Sequence, residues 1–133
     1  MVVNIKYQWL LEYQELDEQI YLLKWKIKKS ELELSRWVEG DLANIKLEKD
    51  SLASNLEKNI ERDIELLNQK EKSMKSLMDM ISKFKGLDNK ILKMKYIDGM
   101  SLKDIAEELN YSYQHIMNKH AQIVKVIHFF EEL

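Results

Sequence analysis

The 133-residue chain contains no Cys, no Pro and only three Gly, at positions 40, 86 and 99. That composition excludes disulfides, Cys-bound zinc, iron–sulfur clusters and thiol nucleophiles, and it leaves too few turn residues for a β-rich fold or a Gly-cradled nucleotide site. With 45% hydrophobic and 33% charged residues the chain suits long helices rather than disorder, and 21 basic against 23 acidic residues give no bulk charge that points to nucleic acid.

No apolar run approaches 18 residues, and the start lacks a cationic segment followed by an apolar one. The expectation is therefore a soluble cytoplasmic protein with no membrane span and no signal peptide.

The first segment runs from about Ile5 to Val38. Trp9, Tyr13, Leu16, Ile20, Leu23, Ile27, Ser30, Leu34 and Trp37 alternate in steps of four and three, a heptad seam with one polar member, Ser30. Gly40 is suited to end this helix, and Asp41 to cap the next. Tyr21 and Trp25 lie off the seam and suggest a second contact surface, either against the C-terminal segment or against another copy of the chain.

The second segment runs from Asp41 to about Phe84. Leu42, Ile45, Leu52, Leu56, Ile60, Ile64, Leu67, Met74, Met78 and Ile81 are expected to line one side. The successive gaps of four at Leu56, Ile60 and Ile64 depart from a strict heptad. A short Glu39-Gly40-Asp41 connection makes an antiparallel hairpin the natural arrangement.

The third segment, Leu87 to Leu133, has shorter helical stretches with regular punctuation. Leu87 to Asp98 reads as one helix stopped by Gly99. Ser101 with Asp104 three residues on makes a start resembling a capping box. Leu102, Ile105, Ala106 and Leu109 form an apolar face. Asn110 tolerates the left-handed backbone that a tight turn needs. Ser112 is a second N-cap, and Ile116, Ile123 and Ile127 continue one stripe.

This is the layout of a helix-turn-helix. Ala106 is the small residue where two steeply crossing helices approach, and Ile105, Leu109, Tyr111 and Ile116 have the offsets needed to lock them. One position departs from the pattern. The residue three after Ile116 is ordinarily apolar and here is Lys119, whose stem can cover the surface while its amine reaches solvent or a phosphate.

Residues 90–127, KILKMKYIDGMSLKDIAEELNYSYQHIMNKHAQIVKVI, resemble region 4 of bacterial sigma factors, most closely over YIDGMSLKDIAEELN. The stretch YSYQHIMNKH is similar to small phage-encoded late transcription regulators of the ArpU and RinA type, and the opening YQWLLEYQELDEQIYLLKWKIKKSE is similar in style to their N-terminal helices. The resemblance implies binding to double-stranded DNA and control of phage or prophage transcription in a bacterial host cell.

The expected fold is thus all-α. Residues 1–85 form a long coiled-coil-like helical hairpin for dimerisation or partner contact, and residues 86–133 a helix-turn-helix like that of sigma region 4. The second helix, starting near Ser112, offers Tyr113, Gln114, Met117, Asn118 and Ala121 outward. Gln and Asn can bond adenine edges in the major groove, and Met or Ala can touch a thymine methyl. Ser112, Tyr113, Lys103 and Lys119 are candidates for phosphate contacts, and His115 for either role. Without a groove to enter, the same residues are a solvated polar face.

Residues 86–133 hold six Lys and no Arg against seven acids. One copy therefore offers little nonspecific grip on DNA. A homodimer doubling the contacts answers that difficulty. So does an alternative function, a helical adaptor or inhibitor working through RNA polymerase or another regulator. His115 and His120 are five apart, about 140° around a helix, so they form no metal pair. No cofactor, metal site or catalytic group is expected, and the chain is not expected to be an enzyme.

Overall fold

A computed structural model of the chain describes residue 8, residues 10–40 and residues 49–131. Among these described residues all regular structure is helical and no strand occurs, as the all-α expectation requires. The helices are α1 (Tyr13–Val38), α2 (Lys49–Lys83), α3 (Gly86–Leu92), α4 (Leu102–Leu109) and α5 (Tyr113–Glu131). α3 runs directly into a π-helical turn, Lys93–Ile97. No helix of the described residues is long and apolar enough to cross a membrane.

The chain divides into two compact units. One comprises residues up to 17 together with residues from 73 onward, and the other residues 18–72.

In the unit of residues 18–72, α1 buries Ile20 and Ile27, with Leu23, Ser30, Leu34 and Trp37 half-buried. This is the heptad seam read from the sequence. Trp9 at its start and Leu42, Ile45 and Asp41 beyond its end lie outside the described residues or side chains. Three polar pairs tie α1 to α2: Lys26 Nζ to Asp63 Oδ2 at 3.2 Å, Lys24 Nζ to Glu71 Oε1 at 3.6 Å, and Lys70 Nζ donating to Gln19 Oε1 at 2.7 Å. Gln19 and Lys24 thus meet Lys70 and Glu71, and Lys26 meets Asp63 two turns earlier on α2.

The seam of α2 differs from the expectation. Ile64 and Met78 are exposed, whereas Asp63 and Leu77 are buried. From Leu56 the inward positions are 56, 60, 63, 67, 70, 74, 77 and 81, an unbroken heptad. Asp63 and Lys70 are its polar members. An apolar count passes over them, but Lys26 and Gln19 supply their partners from α1.

In the other unit, Leu10, Leu77, Ile81, Ile91, Leu92, Tyr96, Ile105, Ala106, Ile116, Ile123 and Ile127 form one core. α2 ends at Lys83, where the Ile81 carbonyl accepts from the Phe84 amide at 3.2 Å and from the Asn89 side chain at 3.0 Å. The stretch expected as one helix from Leu87 to Asp98 widens at Lys93–Ile97, where Asp98 N donates to Lys93 O at 3.0 Å. Gly99 then takes φ +74°, with the Gln14 amide in the space a Cβ would need.

Candidate nucleic-acid interface

Residues 101–118 build one local frame from short-range chemistry. The Ser101 hydroxyl accepts from the Asp104 amide at 3.1 Å and starts α4. At the other end Asn110 sits at φ 60°, ψ 39°, the left-handed region. The Tyr111 amide donates to the Ala106 carbonyl at 3.0 Å, and the Asn110 amide to the Glu107 carbonyl at 3.4 Å. These two bonds close a Schellman motif with Asn in the place that Gly most often holds. Two residues later the Ser112 hydroxyl accepts from the His115 amide at 3.1 Å and starts α5. Ile105, Ala106 and Ile116 are buried between the helices.

Ile116 holds one side of the first turns of α5 in the core and leaves the other side open. Ser112, Tyr113, Gln114, His115, Asn118 and Ala121 are exposed, and Met117 is half-buried. Gln114 Nε2 donates to Asn118 Oδ1 at 3.0 Å, so the two amides are held together one turn apart. Lys103 is exposed on α4. Seven of the eight candidate contact residues are thus exposed or, for Met117, half-buried.

Lys119 is engaged elsewhere. Its Nζ lies 3.6 Å from Asp88 Oδ1 on α3, an oxygen enclosed without a hydrogen-bond partner. The stem covers the surface at this ordinarily apolar position, and the amine goes to a carboxylate of the same unit. Tyr111 also departs from expectation. Rather than locking α4 to α5 it is exposed, and its ring stacks on His115 with centroids 5.0 Å apart. Tyr is large and carries a hydroxyl that stays solvated there.

Sequence reasoning missed Tyr96 and His120. The Tyr96 hydroxyl and His120 Nε2 are 2.6 Å apart, joining the π turn to α5. Burial, and then the neighbouring Lys95 charge, push the His120 pKa down. Their separation of 24 residues leaves no local pattern to find. Among the described residues no cluster of His, Asp or Glu could hold a metal.

No protein-family model matches the chain, and no curated protein or solved structure matches it either.

Proposed function

We propose that the chain is a sequence-specific transcription regulator of the ArpU and RinA type. In this reading residues 86–133 act as a helix-turn-helix similar to sigma region 4, α5 enters the major groove, and residues 1–85 form a helical hairpin that dimerises or contacts RNA polymerase in the cytoplasm of a bacterial host. One observation carries the reading. Two side-chain-capped helices meet across a left-handed Asn110, with buried Ala106 at the crossing, and leave the Gln114–Asn118 amide pair exposed at the start of the second helix. Paired amides one turn apart suit adenine edges in a groove wide enough for a helix.

Lys103, Ser112 and Tyr113 are the proposed phosphate contacts, His115 serves phosphate or base, and Met117 a thymine methyl. Lys119 contributes through its charge beside the site rather than as a free amine.

The excess of acids in residues 86–133, together with the Lys119–Asp88 pair, favours a second reading, an adaptor acting through protein contacts alone. A mobility-shift assay with full-length protein and DNA from its own genomic neighbourhood separates the two. The regulator binds a discrete fragment with a steep salt dependence, whereas the adaptor binds none.

A further inference from the structure

The face of α1 opposite its buried seam carries exposed apolar side chains. Leu22, Trp25 and Leu32 are 50%, 57% and 62% exposed, and Tyr21 beside them is 68% exposed. At 100° per residue these four lie within an arc of about 80–100°, on the far side of the helix from Ile20 and Ile27. Surface leucines and tryptophans scattered singly need no explanation, but a strip at helical spacing marks a contact surface.

The strip has an internal order. Its central positions are Glu18, Leu22, Trp25, Lys29, Leu32 and Arg36, spaced four, three, four, three and four. That spacing reads the same in both directions about position 27. When the strip is laid against a reversed copy of itself, Glu18 meets Arg36, Leu22 meets Leu32, and Trp25 meets Lys29. Each layer matches an a position with a d position, the pairing of antiparallel coiled coils. Every pair is complementary: opposite charges at both ends, two aliphatic layers within, and two cation–aromatic layers at the centre. Lys29 Nζ already lies 5.3 Å from the Trp25 ring centroid in its own chain, so the amine is poised over an indole.

We propose that this face of α1 is a homodimer interface in which two copies pack antiparallel about a two-fold axis beside position 27. This rests on the dimer in the function proposed above and deepens it, naming the face, direction and register. The occupant is a second copy because the strip complements itself in charge and in spacing, as an isologous two-fold contact requires. Lys26 on one side of the axis and Lys28 on the other approach their own copies at the rim, where solvent and salt screen the like charges.

The chain has no Cys, so an introduced thiol is the sole thiol in its molecule. Leu22→Cys and Leu32→Cys are made separately in the full-length protein. In the antiparallel register, position 22 faces position 32, while two copies of position 22 lie about 15 Å apart along the helix, beyond disulfide reach. Mild oxidation of an equal mixture of the two variants is expected to give a covalent dimer. Either variant alone is expected to stay single-chain on a non-reducing gel.

Efficient cross-linking of Leu22→Cys alone means parallel pairing and overturns the proposal. So does a mixture that gives no covalent dimer. Should either Leu variant lose its helical circular dichroism, a mixture of Trp25→Cys and Lys29→Cys puts the same question to the neighbouring layer. In the unmodified background, Leu22→Lys is expected to raise the dimer dissociation constant by roughly tenfold or more in sedimentation, and an unchanged constant counts against the interface. DNA binding is measured separately on the parent protein. A parent that shifts DNA while the thiol mixture fails to cross-link removes this pairing and leaves the helix-turn-helix reading standing.

Discussion

His120 accepts or donates a 2.6 Å hydrogen bond with the Tyr96 hydroxyl, and this joins the π turn after α3 to the middle of α5. The imidazole is half-buried and its pKa is lowered from 6.5, first by burial and then by Lys95. An unfolded chain therefore takes up this proton before the folded one does. Stability from His120 is complete above about pH 6.5 and falls as pH drops below that, until the folded form titrates as well. Thermal melts from neutral pH to about 5.5 are expected to show a decline that His120→Gln flattens. Identical slopes for parent and variant would contradict this. Tyr96→Phe is expected to cost about 1 kcal/mol at neutral pH through the lost hydrogen bond.

The recognition surface has its own test. Gln114→Ala and Asn118→Ala are each expected to cost about 1–3 kcal/mol on the best natural DNA site and to relax base preference locally. Both side chains are exposed, so the double variant is expected to melt with the parent. If it binds that site as tightly as the parent does, α5 is not the reading helix.

The two lysines near that surface are expected to part company. Lys103→Ala leaves the fold unaffected and lowers affinity for all sequences, with a shallower salt dependence. Lys119→Ala strands the enclosed Asp88 oxygen and lowers stability by up to about 1 kcal/mol, a modest figure because both side chains are one-third exposed. Denaturation curves of the two variants, run beside binding isotherms, make the comparison. Equal stability of the two would remove the structural role given to Lys119.

The turn is testable through backbone preference alone. Asn110→Gly keeps the left-handed conformation without strain and is expected to hold or raise the melting temperature. Asn110→Val places a β-branched residue there and is expected to cost about 1–2 kcal/mol. Were Val tolerated as well as Gly, the turn would not have the geometry described.

Much of this was legible in the sequence, and the reason is that the signals are local. The seam of α1 repeats every few residues, and Ser101, Asn110 and Ser112 each act on amides within three to five positions. What escaped depends on partners far along the chain. Asp63 belongs to the seam because Lys26 meets it 37 residues away, so counting apolar residues put Ile64 inward instead. Nothing local points Lys119 inward, because its partner Asp88 is 31 positions earlier. The apolar ring of Tyr111 suggests the interior, but its stacking on His115 satisfies it at the surface.

Asp63 is 3% exposed in a seam lined mostly by aliphatic side chains, with Lys26 as its partner from α1. Aliphatic layers are nearly interchangeable, so two such helices can slide past each other by a heptad at little loss of packing. That slide would set Asp63 against Gln19 or Glu33, neither of them a cation, and leave the enclosed carboxylate only the neighbouring Arg62, 4.0 Å away on its own helix. The seam thus carries its own alignment mark, and misregistered pairings are rejected by electrostatics where shape alone would let them pass.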